Sequence, residues 1–279
     1  RCRRFSPLGL AFAQDRFVPE EEMQFAAIAV LLEDGSAFLS FRGTDATLVG
    51  WKEDFSMSFL DAVPAQQAAL DYVERFASLF PGSLRLGGHS KGGNLAVFAG
   101  ALARIKVRDR ILAIYNNDGP GFTRLVLDSP GYQELLTRLH TFIPQSSVVG
   151  LLLEHDEPHT VVRSRQIGLL QHDPYSWEVE GGSFLQAEEI TPGSRMADQA
   201  IKGWLAGLSP QERSQFVDSL FQLLSAGEAS TTADLLQPRS LQAALRSLAD
   251  DRDGTRRTLA EGLIQLARSA ASVWRENVP

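Results

Sequence analysis

The 279-residue sequence holds a single cysteine, Cys2, almost at its start. With no second thiol there is no internal disulfide and no Cys-based zinc site, and so little cysteine suits a reducing cytoplasm, the expected location. Positive charge is also in short supply. Lys and Arg number 27 against 34 Asp and Glu, for a net charge of −7, which makes nucleic acid an unfavourable partner. No apolar run is long enough for a membrane span, because charges or Gly and Pro interrupt every candidate before the ~20 residues required. No Gly-Lys-Ser or Gly-Lys-Thr follows a glycine-rich stretch, so a phosphate loop is absent. The first residue is Arg instead of Met, which leaves room for upstream residues, a cleaved leader among them. What remains is ordinary for a globular chain with a sizeable core: 44% hydrophobic and 22% charged residues. The length allows either one large domain or a domain with an appendage.

The N-terminal part alternates between strand and helix patterns, the mark of an α/β sheet. Phe25 to Leu32 and Ala37 to Phe41 are apolar runs on either side of Asp34-Gly35, a turn pair that predicts a β-hairpin because such a turn needs positive φ at its centre. Pro64 to Phe80 has helical spacing, with Leu70, Val73, Phe76, Leu79 and Phe80 as its apolar set and Pro81-Gly82 as its stop. Ser83 to Gly87 reads as a short strand and Lys91 to Arg104 as a helix. Arg110 to Tyr115 reads as a buried parallel strand, Tyr132 to Leu139 as a helix, and Thr141 to Ile143 and Thr160 to Arg163 as two further strands. A boundary is expected between Gly181-Gly182 and Pro192-Gly193. It divides a core of residues 1–180 from a helical extension of residues 181–279 that packs on the core or acts as a lid. In the extension, Ser209-Pro210-Gln211-Glu212 has the form of a capping box with Pro in the first turn. Phe216, Val217, Leu220, Phe221 and Leu224 follow on one face, Gly227 is placed to end the helix, and Leu241 to Arg275 is again helical.

Gly88-His89-Ser90-Lys91-Gly92 matches G-x-S-x-G, and its context gives the match weight: a strand leads in and a helix leads out, as a nucleophile elbow requires. In such a turn the serine is held in a strained conformation with its hydroxyl above the sheet. A side chain two residues before or after it would strike the neighbouring strand and helix, hence Gly88 and Gly92. A glycine-rich βα corner without chemistry is the plainer alternative. The main-chain N–H of Lys91, at the helix N-terminus, is placed to receive an oxyanion, while the Lys91 side chain is expected in solvent. Phe41-Arg42-Gly43-Thr44-Asp45 follows an earlier strand, and Thr44 offers an N–H and a hydroxyl as the second oxyanion donor. Arg42 and Asp54 are expected to pair and steady that loop.

Taken together, Phe41-Arg42-Gly43-Thr44-Asp45, Trp51-Lys52-Glu53-Asp54 and Gly88-His89-Ser90-Lys91-Gly92-Gly93 resemble the class 3 (fungal-type) lipases. With Asn116-Asn117-Asp118-Gly119-Pro120-Gly121-Phe122 and Gln171-His172-Asp173-Pro174-Tyr175-Ser176-Trp177, the chain is similar to a bacterial family of lipase-like α/β-hydrolases. The resemblance implies an α/β-hydrolase fold with a mostly parallel sheet. It also implies serine esterase or lipase chemistry without implying a substrate; the expected partner is a small-molecule or lipid ester, and no metal or organic cofactor is required.

A triad in this fold runs Ser, acid, His along the chain. Of the five histidines, His172 lies in a late loop after the strand-like Ser164 to Leu170 and is the preferred base, with His155 the alternative. His89 reads as elbow support and His140 as structural. The class 3 pattern places the acid after the strand at Thr141 to Ile143, where this chain has Ser146 and Ser147 and no carboxylate. Asp118, one strand earlier and at a strand's C-terminal end, is the preferred acid, and Asp173 and Asp156 stay open. Asp118 bonding the backbone near Gly119 is the plainer alternative. The expected activity is hydrolysis of carboxylic esters through a Ser90–His172–Asp118 triad and an acyl-enzyme. The rival reading is a catalytically silent scaffold on the same fold. Met196, Ile201, Trp204, Leu205 and Leu208 form an apolar helix face that either covers a site or packs within the extension.

Overall fold

The computed structural model describes residues 7–227, 229–235, 237–250 and 254–277; Cys2 and residues 251–253 of the expected C-terminal helix lie outside them. The strands are β1 (Gly9–Val18), β2 (Met23–Leu31), β3 (Ala37–Phe41), β4 (Leu84–His89), β5 (Ile111–Asn117), β6 (Leu139–Pro144), β7 (His159–Val162), β8 (Val179–Glu180) and β9 (Ser183–Phe184). The helices are α1 (Leu48–Ser56), α2 (Pro64–Leu79), α3 (Lys91–Leu102), α4 (Ile105–Arg108), α5 (Arg124–Leu127), α6 (Pro130–Leu135), α7 (Pro192–Ala206), α8 (Pro210–Ser225), α9 (Thr232–Leu235), α10 (Pro238–Asp250) and α11 (Thr255–Asn277). They fall into two compact units, one of residues 1–17, 25–43 and 64–194, the other of residues 18–24, 44–63 and 195–279.

The first unit is built on a seven-stranded sheet in the order β1-β2-β3-β4-β5-β6-β7, so each strand lies beside its neighbour in sequence. β2 and β3 form the hairpin expected around Asp34-Gly35, with Leu31 opposite Ala37. Gly35 takes φ +77°, and the Asp34 carboxylate accepts from the amide and hydroxyl of Ser36. From β3 to β7 every pairing is parallel. With its flanking helices, this mostly parallel sheet is the α/β-hydrolase arrangement expected from the motifs.

α2, α3 and α6 line up against the sheet, with α3 in contact with both of the other helices and with β3, β4 and β5. Leu39, Leu86 and Ile114 face that layer and are fully buried. From Lys91 to Ala101 every residue of α3 is buried, as expected of a helix enclosed on all sides. The buried stripe of α2 is Ala65, Ala68, Ala69, Tyr72, Val73 and Phe76, whereas Leu79 lies in solvent. The face is therefore turned toward the alanines, whose small side chains let α2 and α3 approach closely. On the opposite face of the sheet Phe38, Tyr115 and His140 stack in a row, ring centroids 6.1 Å and 5.3 Å apart, and His140 is exposed. The helix expected from Tyr132 ends early: α6 stops at Leu135, a 3-10 turn covers Leu136–Arg138, and Leu139 already opens β6.

The stretch Ser164 to Leu170, expected as strand-like, is not a strand. A lone bridge joins Ser164 to Trp177, and Gly168–His172 forms a 3-10 helix. Gly168 has φ +54°, and Ile167, Leu169 and Leu170 point into solvent, so the apolar run has neither a partner strand nor a core to enter.

The second unit is helical. Thr47 caps α1 by accepting from the Gly50 amide. Leu48, Val217, Phe221 and Ala229 make a buried cluster with Phe59, Leu220, Leu224 and Leu235 packed on it. Trp204 of α7 packs edge-on against Phe216 of α8, and the Ala200 carbonyl accepts from Ser269 of α11. The stretch from Leu241 to Arg275, expected as helical, lies in α10 and α11, with Gly254 at φ +73° just before α11. α8 starts at the expected capping box: the Ser209 hydroxyl accepts from the Glu212 amide, and the Glu212 carboxylate accepts from the Ser209 amide. Replacing Ser209 by Ala should lower stability by about 1 kcal/mol, read as a lower urea midpoint of the helical circular dichroism signal. An unchanged midpoint would show that the box contributes nothing.

Candidate active site

Only one residue separates β4 from α3. Ser90 turns the chain with φ 57° and ψ −133°, a region nearly closed to residues with a side chain. The turn is held from both sides, since the Ser90 amide donates to the Asn117 carbonyl at 2.9 Å and the Ser90 carbonyl accepts from the Gly93 amide at 2.9 Å. Space sets the flanking residues. A Cβ on Gly88 would lie 2.3 Å from the Gly92 carbonyl carbon, and one on Gly92 would lie 2.2 Å from the Phe41 carbonyl oxygen. Strand and helix thus touch backbone to backbone below the serine.

Lys91 is the first residue of α3, and its side chain is buried at 1% exposure, not solvated as expected. Enclosure of the whole first turn of α3 is the reason. Its amide stands at a helix N-terminus, where negative charge is favoured.

The acid turn follows β5. Asp118 takes φ 52°, a left-handed conformation that Asp tolerates better than most residues, and is fully buried. Its Oδ1 accepts from the Ser147 hydroxyl at 2.5 Å and the Gly150 amide at 3.1 Å; its Oδ2 lies 2.7 Å from Nδ1 of His172. Asn116, not Asp118, makes the local turn bond, with its Oδ1 3.0 Å from the Gly119 amide. The neighbouring amides tie this turn to the elbow: Asn117 Nδ2 donates to the Gly88 carbonyl, and Asn94 Nδ2 to the carbonyls of Pro120 and Gly121.

His172 ends its 3-10 helix, partly exposed, and no carboxylate but that of Asp118 is in hydrogen-bond contact with it among the described residues. Its carbonyl accepts from Nε2 of His89 at 2.6 Å, and the two rings are 4.4 Å apart. Burial, and next the charge His172 can carry, hold His89 below the usual histidine range, outweighing its hydrogen bond to the carbonyl.

The alternative residues are engaged elsewhere. His155 pairs with Glu157 at 3.0 Å, Asp156 with Arg124 at 3.2 Å, and Asp173 caps a short turn through the Tyr175 amide at 3.0 Å. In the segment after β3, Arg42 reaches Asp15 of β1 at 3.3 Å. Within the second unit, Thr44 Oγ1 donates to Asp54 Oδ2 at 2.5 Å, so that hydroxyl is already engaged. Among the described residues no group of His, Cys, Asp and Glu is arranged to hold a metal ion, and no helix is long and apolar enough to cross a membrane.

A protein-family model described as Mbeg1-like matches residues 1–222. The chain belongs to the Mbeg1-like family. No curated protein matches it. Among solved structures, the Mbeg1-like chain is similar to the Rhizomucor miehei lipase propeptide complex at 12% identity and TM-score 0.42, over 56% of this chain and 57% of that one. Lipase II from Rhizopus niveus matches at 14% identity and TM-score 0.37, over 56% and 66% of the two chains. M37 lipase matches at 11% and 0.41, over 95% and 85%. The match thus spans less than two thirds of either fungal lipase chain.

Three contacts of this Mbeg1-like chain were not read from the sequence: Ser147 and Gly150 on Asp118, and the His89 ring on the His172 carbonyl. Ser147 carried a signal, since it stands in the loop where the class 3 pattern has its acid. The second His–carboxylate pair is a stability element. Glu157 is buried, and Tyr132 Oη, Thr141 Oγ1 at 2.7 Å and His155 converge on it. Burial alone would raise its pKa, but the His155 imidazole and the two hydroxyls outweigh burial and lower it from 4.5 to about 2. A depressed folded-state pKa gives stability that is present above pH 4.5 and lost as pH falls toward 2. Glu157→Gln should therefore remove up to about 3 kcal/mol of acid sensitivity in that window, measured as urea midpoints at stepped pH. An unchanged slope would assign the sensitivity to another group.

Proposed function

We propose that this chain is a serine hydrolase of carboxylic esters, acting by acyl transfer on a small-molecule or lipid ester. One observation carries the reading: in a chain whose Ser90 sits in a strained strand-to-helix turn, His172 has its Nδ1 2.7 Å from a buried carboxylate. That contact sets the tautomer. With the proton on Nδ1 donated to Asp118, Nε2 of His172 is the bare base, suited to take the Ser90 proton as Oγ attacks the carbonyl carbon. Asp118 then stabilises the imidazolium. The Ser147 hydroxyl and Gly150 amide on its other oxygen keep the carboxylate from rotating away.

As the C=O bond becomes C–O⁻, the Lys91 amide is one donor to the oxyanion, and by its motif the Thr44 amide is the second. Arg42 and Asp54 are supports of that segment. Collapse expels the alcohol, which takes its proton from His172. Water then attacks the acyl-enzyme with the same histidine as base, releasing the acid and restoring Ser90. The chemistry needs no metal or organic cofactor.

Ser90→Ala should abolish labelling by a fluorophosphonate and cut hydrolysis of a short p-nitrophenyl ester by about 10⁴-fold or more. A folded wild-type protein that resists the label would instead favour a catalytically silent scaffold. Asp118→Asn, which disturbs the tautomer but keeps the shape, should lower kcat by roughly 10³- to 10⁴-fold. Turnover at the wild-type rate would move the acid to another residue.

A further inference from the structure

The loop that carries His172 has an unusual build. Its stem is closed by the Arg165 amide on the Ser176 carbonyl at 3.0 Å and by the Ser164 and Ser176 hydroxyls, 2.7 Å apart. Beyond the stem its large apolar side chains turn outward. Ile167, Leu169 and Leu170 are exposed, and Tyr175 is 90% exposed. Outward packing therefore does nothing to hold the loop, and its position rests on inward bonds. These are few and directional. Gln171 Oε1 accepts from the Ser146 amide at 2.8 Å, Trp177 Nε1 donates to the Gln171 carbonyl at 2.8 Å, and His89 Nε2 donates to the His172 carbonyl at 2.6 Å.

The last of these bonds differs from the others in where it comes from. His89 is the residue immediately before Ser90, at the end of β4, which pairs in parallel with β3 and β5, so its side chain leaves the central strand of the sheet. The ring is fixed by more than the bond. It lies 4.4 Å from the His172 ring and meets Trp177 edge-on at 6.4 Å. Since a carbonyl only accepts, Nε2 of His89 must carry a proton.

We propose that His89 is a positioning residue, whose Nε2–H clamps the main chain of His172 and so sets the distance between nucleophile and base. The inference rests on the ester-hydrolase reading. The Asp118 contact fixes the rotation of the His172 ring about its own bonds, but it leaves the Cα of residue 172 free to drift with its loop. The His89 bond removes that freedom and refers the base to the strand that carries the serine. A displacement of about 1 Å at a catalytic group can cost 10²-fold in rate, so the clamp acts on turnover and not on substrate affinity.

Two variants separate a hydrogen-bond clamp from mere packing. In His89→Gln the amide nitrogen lies as many bonds from Cβ as Nε2 does and can reach the carbonyl. In His89→Asn it falls one bond short, although both side chains are neutral, polar and smaller than the ring. The measurements are fluorophosphonate labelling at Ser90 and kcat and KM on a short p-nitrophenyl ester, with wild type assayed first and melting temperatures confirming folded variants. His89→Asn should lower kcat and the labelling rate about tenfold or more with KM within about twofold, while His89→Gln stays within about threefold of wild type. Equal rates in Asn, Gln and wild type would overturn the clamp and leave the hydrolase reading standing, as would equal losses in the two variants. A folded wild type that is neither labelled nor active would sink the hydrolase reading itself, and the clamp with it.

Discussion

A carboxylate taken fully out of water must be met by donors, or burying it costs several kcal/mol. Asp118 is in that position, and the first unit is arranged around meeting its demand. A hydroxyl and an amide from the turn after β6 occupy one oxygen, and the imidazole of His172 takes the other. The main chain of Asp118 continues the ladder through its amide to the Phe142 carbonyl at 2.7 Å, which fixes where the carboxylate can point. Three separate loops are thereby brought to one pair of oxygen atoms. The elbow is joined to them through Asn117, whose carbonyl holds the Ser90 amide and whose side chain holds Gly88.

Local patterns in the sequence are the ones that read well. Gly35 supplies the positive φ that its turn needs, and Ser209 with Glu212 satisfies orphan amides within one helical turn. The elbow is legible for the same reason, because Gly88 and Gly92 answer to contacts with Phe41 and with each other that any strand-to-helix corner of this tightness creates. The choice of Asp118 followed from chain order and from the end of a strand. What separates it from Asp156 and Asp173 is the partner each meets in space, and no periodicity carries that information. The stretch from Ser164 to Leu170 misled because apolar alternation signals a strand only where another strand waits to pair. Here Ile167, Leu169 and Leu170 meet solvent. Lys91 misled in the opposite sense: charge argues for the surface, but the first turn of α3 is enclosed whatever residue stands there.

The helical unit makes a related point about contiguity. Its core joins Leu48 and Phe59 to Val217 and Phe221, residues more than half the chain apart. Arg213 donates to the Ser58 carbonyl at 2.6 Å, and Lys52 bridges Glu22 and Asp218. Segments on both sides of the β2–β3 hairpin therefore fold with the C-terminal helices. A linear division of the sequence sees the composition change after Trp177 but not the earlier segment around Trp51, whose α1 is short and whose partners come last.

The order of the strands across the sheet has a consequence for synthesis. Because β1 through β7 are neighbours in space as they are in sequence, each strand leaving the ribosome finds its partner already made, and no gap in the sheet has to be held open for a later segment. The serine corner comes first, the acid turn settles against it next, and the loop after β6 then covers the carboxylate. The imidazole of residue 172 arrives last, after the corner at Ser90 and the carboxylate that it bonds are in place.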